Sequence, residues 1–232
     1  MSEFLKLTSS PLMNLDHTYR YSGTKLVEAE SLSQHIVDTI MMGLKIIDEI
    51  NHRVDEETRM VPLIPYLDPQ TYILKAVTHD LEEAITGDVP RPLKYHDEVT
   101  LNSMREIADE VAKSLFEEQF LNHEYYYKEW LHAKDGKEGC ILKIVDMLVV
   151  ASKVQKEITL LNNLYMLRVA YEVSQYIKET YESLKLTEIF EEKVVVDYLL
   201  DLLGSAYESM IEILTQHESI MRTFNIDKHS MI

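Results

Sequence analysis

Hydrophobic positions recur at helical spacing through most of the chain. Leu32, Ile36, Ile40, Leu44 and Ile47 predict an amphipathic helix from about Ser31 to Asn51. Pro62, Pro65 and Pro69 then interrupt any helix and mark a loop over 56–69. Ile73, Val77, Leu81 and Ile85 predict one continuous second helix that starts at Pro69, a residue suited to a first turn. It stops at Thr86-Gly87-Asp88, ahead of the proline-bounded segment Val89–Pro92. Ile107, Val111 and Leu115 predict a third helix over about Glu98 to Asn122, and a short one follows from Tyr125 to Ala133. The run ILKIVDMLVVASKV gives a very apolar helix from about Glu138 to Leu160, and two or three more helices fill Asn162 to Phe224. The first twenty residues read as an irregular lead-in. The fold class expected is all-α.

Composition narrows the function classes. With 23 Lys+Arg against 40 Asp+Glu in 232 residues, the net charge is −17, which repels nucleic-acid polymers and anionic membranes. A hydrophobic content of 46 % is enough for a packed core. The lone Cys140 has no partner for an internal disulfide, and the opening MSEFLKLTSS lacks the apolar run of a signal peptide; both lead us to expect a cytoplasmic protein. No apolar stretch approaches the roughly 18 residues of a membrane span.

Three polar placements within apolar helices do not read as packing. Asp146 lies among Leu142, Lys143, Val149 and Val150, between Val145 and Met147, where an unpaired buried carboxylate would cost several kcal/mol, to order of magnitude. A metal ion, a basic side chain or a proton must meet it. His79 and Asp80 stand side by side on the second predicted helix, and His35 shares the first with Met42 and Ile46. Taken singly, each histidine is more often a satisfied core residue. As a set drawn from three helices, His35, His79, Asp80 and Asp146 offer two imidazoles and two carboxylates. That set suits one octahedral divalent cation (Mn, Co, Fe, Zn or Mg) with two positions left for water or substrate.

These residues resemble the H…HD…D pattern of the HD-domain metal-dependent phosphohydrolases. The segment His79-Asp80-Leu-Glu-Glu83-Ala-Ile-Thr86-Gly87-Asp88-Val-Pro90-Arg-Pro92-Leu-Lys94-Tyr95 further resembles the signature HDxxExxTGDxPxPxKY of the bacterial 5′-deoxynucleotidase (YfbR-like) branch. Upstream, Arg20-Tyr21 precedes His35 by fifteen positions, and EAESLSQH is similar to the branch's E-x-V-x-E-H segment; downstream, Lys153 follows Asp146 by seven. The resemblance runs from Arg20 to about Glu157.

It implies an HD-type helical bundle forming one domain over 1–232, with a metal-binding core at about 20–160 and a C-terminal helical extension at about 161–232. It implies one divalent metal on His35, His79, Asp80 and Asp146. Arg20 would contact the substrate phosphate, and Glu83, one turn after His79 on the same face, would orient or protonate groups at phosphorus. Asp88 would hydrogen-bond the sugar 3′-hydroxyl, Pro90 would shape the sugar pocket, and Lys94 and Lys153 would add positive charge. Tyr21 stands where the family commonly has Trp, so strict deoxyribose selectivity is not expected.

The implied reaction is hydrolysis of (deoxy)nucleoside 5′-monophosphates. Alternatives are a deoxynucleoside triphosphate triphosphohydrolase with the same metal core, and a non-catalytic nucleotide-binding regulator. A di-iron oxygenase would call on His123 and His132. The partners expected are a nucleotide and a second copy of the chain, joined through the apolar stretch Val194 to Leu214.

Overall fold

The computed structural model describes residues 10–21, 24–59, 64–94 and 96–223. Pro62 of the predicted loop and Tyr95 of the signature segment lie outside them. The described residues form helices α1 (Leu32–Thr58), α2 (Pro69–Thr78), α3 (Glu83–Thr86), α4 (Arg91–Lys94), α5 (Glu98–Gln119), α6 (His123–Leu131), α7 (Gly136–Thr159), α8 (Asn163–Leu186), α9 (Lys193–Gln216) and α10 (Glu218–Thr223). A 3₁₀ turn at Pro11–His17 occupies the lead-in, opened by Ser10, whose hydroxyl accepts the Leu12 amide. No strand occurs among the described residues, and Tyr19 and Ser31 form an isolated bridge.

The chain divides into two compact units. The first comprises residues 1–25, 29–41 and 70–142. Its core joins Leu32 and Ile36 of α1, Leu81, and Ala112, Leu115 and Phe116 of α5. Phe120, Tyr126, Tyr127 and Trp130 pack around that cluster, so the aromatic face of α6 is largely used in packing. The second unit comprises residues 26–28, 42–69 and 143–232. In it α9 packs along α8, burying Val195, Leu199, Leu203, Met210 and Leu214. One apolar stripe of the stretch expected at a dimer interface is thus used in packing within this unit.

Two helices differ from the pattern read in the sequence. First, α1 continues to Thr58, past the predicted stop near Asn51. The apolar stripe goes on through Ile50 and Val54, both buried, and Arg53 meets Glu49 one turn earlier at 2.7 Å. Second, the predicted continuous helix from Pro69 to Ile85 breaks. Over His79–Glu82 the chain makes tighter i→i−3 bonds: the Leu81 amide to Thr78, Glu83 to Asp80 and Ala84 to Leu81. Gly87, at φ 72°, ends α3 in a left-handed conformation that suits a residue without Cβ.

A buried polar knot organises the second unit. Glu157 is fully buried. Its carboxylate accepts the Val27 and Glu28 amides at 2.8 and 3.0 Å, the Asn162 side chain at 2.7 Å and the Lys153 ammonium at 3.1 Å. Burial pushes the Glu157 pKa upward, but these donors outweigh it and hold the group down at about 2. Because the folded pKa lies below the ordinary 4.5, the stabilisation is complete above that pH and is lost as pH falls toward 2. It is on the order of 3 kcal/mol at about 1.4 kcal/mol per unit. Glu157→Gln is expected to lower stability at pH 7 by a comparable amount and to flatten the acid limb between pH 4.5 and 2. Urea unfolding across that range measures both.

Candidate metal and phosphate site

The break between α2 and α3 is what brings His79 and Asp80 into position. The tighter winding sets His79 Nε2 2.9 Å from Asp80 Oδ2. On the other face of the ring, Nδ1 lies 2.9 Å from the Ala76 carbonyl oxygen. A carbonyl only accepts, so Nδ1 carries the proton and Nε2 is left facing Asp80. A lone pair and a carboxylate oxygen at that separation require a proton or a cation at Nε2. His35, fully buried on α1, places its Nε2 3.9 Å from the same Asp80 oxygen, and the two rings lie 6.0 Å apart at 47°. Its Nε2 is also 3.5 Å from the Thr39 hydroxyl.

His35, His79, Asp80 and Asp146 each offer one ligand atom, and these atoms all lie within 4.8 Å of one another. Ligands about 2.1 Å from one octahedral ion stand about 3 Å apart when adjacent and about 4.2 Å apart when opposite. The observed 2.9 and 3.9 Å separations fit such an ion. So does the chemistry of the donors, two imidazoles and two carboxylates. His123 and His132 do not belong to this group; His132 faces Asp135 at 2.8 Å on the exposed end of α6.

Acids crowd the same turn. Glu82 is buried and accepts the Trp130 indole N–H at 2.6 Å. Burial first, and then the charge of Asp80, push Glu82 up to about 7. Glu83 is raised well above the usual carboxylate range by burial and by Asp80, with Arg20 opposing the shift and Asp88 adding to it. Its Oε2 is buried and accepts no hydrogen bond among the described residues. The tightened turn also changes the expected relation of Glu83 to His79. The two do not share one face of a regular helix; Glu83 instead joins the electrostatic neighbourhood of Asp80, Arg20 and Asp88.

Arg20 and Tyr21 reach this neighbourhood from the lead-in. The Arg20 amide donates to the Glu30 carbonyl at 2.9 Å. Tyr21 adopts a left-handed conformation, φ 61°, uncommon for a bulky residue, and its amide donates to Asp88 Oδ2 at 2.6 Å. The Arg20 guanidinium carbon lies 5.9 Å from the Tyr21 ring centre. Pro90 starts the segment after Asp88, its carbonyl accepting the Leu93 and Lys94 amides, and Lys94 is half-buried at the end of α4. Lys153, expected to add positive charge to the site, is engaged elsewhere: its ammonium donates to the Glu28 carbonyl at 2.6 Å and pairs with Glu157. From the sequence Glu82 carries no assigned role, Trp130 reads only as part of an aromatic helix face, and Glu30 only as part of the EAESLSQH segment. The one signal available was their placement beside the motif residues.

The sequence profile of the family described as 5′-deoxynucleotidase YfbR-like matches residues 9–198. The 5′-deoxynucleotidase of Yersinia pestis (strain Pestoides F) is 29 % identical over 99 residues, which are 42 % of this chain and 50 % of that protein. The 5′-deoxynucleotidase of Yersinia pseudotuberculosis serotype O:3 (strain YPIII) gives the same figures. The chain thus spans about half the length of the curated relatives it matches. A crystal structure of an HD-domain phosphohydrolase from Listeria innocua aligns over 92 % of this chain and 95 % of that one, with a TM-score of 0.66 at 20 % identity, a likeness of fold. If the cluster holds a cation, His79→Ala and Asp80→Ala should each lose metal content measured by atomic emission on dialysed protein, while circular dichroism stays helical. Full metal content in both would contradict the ligand assignment.

Proposed function

We propose for this chain, which belongs to the YfbR-like 5′-deoxynucleotidase family, metal-dependent hydrolysis of (deoxy)nucleoside 5′-monophosphates to nucleoside and phosphate. The observation that carries the reading is the convergence of His35, His79, Asp80 and Asp146 with Arg20 and Glu83 close to Asp80. A bound divalent cation supplies Lewis acidity at the phosphoryl oxygens and lowers the pKa of a water toward about 7.

The residues divide the remaining work. His35, His79, Asp80 and Asp146 hold the cation. Arg20, with its fork of donors, binds the phosphoryl oxygens and offsets the negative charge that grows on them. Glu83, its pKa raised well above the usual carboxylate range by burial and by Asp80, donates a proton to the leaving 5′-oxygen or orients the attacking water.

Asp88 has two tasks in this reading. It fastens Tyr21 through one oxygen and accepts the sugar 3′-hydroxyl, a carboxylate having about four acceptor sites. Tyr21 and Pro90 flank the sugar, and a Tyr in place of the family's usual Trp predicts weakened discrimination against ribonucleotides. Lys94 supplies steering charge at the rim. Lys153 acts at a distance by fastening residues 27 and 28, since its ammonium is engaged by Glu28 and Glu157.

The triphosphohydrolase alternative would place more negative charge beside Asp80, Glu82, Glu83 and Asp88, with Arg20 the basic residue in the Glu83 neighbourhood, and the monophosphate is favoured for that reason. No helix among the described residues is long and apolar enough to cross a membrane, and the reading places the enzyme in the cytoplasm, as a homodimer. A phosphate-release panel over deoxyribo- and ribonucleoside mono-, di- and triphosphates, run with Co²⁺, Mn²⁺ and Mg²⁺, tests the assignment. Release of inorganic phosphate from monophosphates is expected, with Arg20→Ala lowering kcat/KM by about 100-fold or more. Tripolyphosphate as the product would select the alternative. Tight nucleotide binding without turnover would identify a regulator.

A further inference from the structure

Glu30 is only 3 % exposed, and a carboxylate that deeply buried is retained at a cost unless its surroundings use it. Two of its contacts in the first unit bear on the site. Through its backbone carbonyl it holds the Arg20 amide at 2.9 Å, next to the Leu32 amide that donates to the Thr18 carbonyl at 2.7 Å. Through its side chain it faces His35: Glu30 Oε1 lies 3.8 Å from Nδ1, while Nε2 at the far end of the same ring lies 3.9 Å from Asp80. At 3.8 Å the first contact is an electrostatic one, longer than a hydrogen bond.

We infer that Glu30 is a positioning residue for the metal site, orienting His35 from behind while its backbone fixes Arg20. The inference rests on the metal reading proposed above. A histidine whose Nδ1–H is turned toward a carboxylate keeps its Nε2 lone pair directed at the cation and becomes a more basic ligand. His79 achieves the same orientation with a neutral partner, the Ala76 carbonyl. The two imidazoles are thus held from behind by different means, one by a carboxylate and one by the backbone of α2. Because the Arg20 amide and the His35 ring both meet Glu30, the phosphate-binding and metal-binding sides of the site share one anchor.

The test is titration of metal-free protein with Co²⁺, followed by visible absorption, for wild type, Glu30→Gln and Glu30→Asp. Glu30→Gln keeps the volume and removes the charge. It should weaken apparent Co²⁺ affinity by 10- to 100-fold and alter the absorption bands, while the circular dichroism spectrum stays that of the wild type. Glu30→Asp keeps the charge with a shorter reach and should fall between the two, so the question stays answerable if the glutamine variant does not fold. Glu157→Gln, which removes a buried carboxylate outside this contact, should leave the affinity unchanged. Wild-type affinity and bands in a folded Glu30 variant would overturn the role, as would an equal loss of affinity in Glu157→Gln. Wild-type protein that binds no Co²⁺ would instead remove the metal reading on which the role depends.

Discussion

Negative charge is concentrated where water is scarce. Asp80, Glu82 and Glu83 lie within four positions, with Asp88 close by, and burial together with their mutual repulsion pushes Glu82 and Glu83 upward. Arg20 is the basic residue that offsets part of this at Glu83. Such crowding is costly for the fold and valuable for a site that must attract a cation. Neighbouring features follow from it. The tightened turn presents His79 Nε2 to Asp80, the Trp130 indole satisfies Glu82, and the Tyr21 amide fastens Asp88. The last two use a neutral donor where a basic side chain would neutralise the charge and close the site to an ion.

Glu157 shows the opposite treatment of the same chemical group. It too is buried, but two backbone amides, an asparagine and a lysine converge on it and hold its pKa at about 2. A carboxylate surrounded by donors stabilises the fold, and one surrounded by other carboxylates is prepared for a ligand. The contrast separates Lys153 from Arg20, two basic residues that the family resemblance assigns to the substrate site. Lys153 completes a structural knot, while Arg20 lies within the field of Glu83.

The helical class, most helix positions and the four clustered ligands were legible in the sequence, because helical periodicity and a polar residue in an apolar run are local signals. His35, His79, Asp80 and Asp146 stood out for that reason. The break at His79–Glu82 was not legible: Ile73, Val77, Leu81 and Ile85 keep a helical spacing straight through it, and the tightening is set by contacts of the folded chain. Glu82 was invisible for a related reason, and Glu30 was legible only as part of the EAESLSQH segment, not as a buried group. Acids in a strongly acidic chain carry no signal of burial, and only the fold shows that Trp130 covers one and His35 faces the other. The end of α1 was misjudged because Ile50 and Val54 continue the apolar stripe among charged residues that read as loop. The net charge of −17 disfavours polyanionic partners, yet a single nucleotide is compatible with it if the local field is set by a cation on the His/Asp cluster together with Arg20.

X-ray absorption at the metal edge of the Co²⁺- or Mn²⁺-loaded protein addresses the central claim most directly. Coordination by His35, His79, Asp80 and Asp146 predicts one ion per chain with two imidazole nitrogens and the remaining scatterers oxygen. A shell without imidazole, or a single nitrogen ligand, would contradict it.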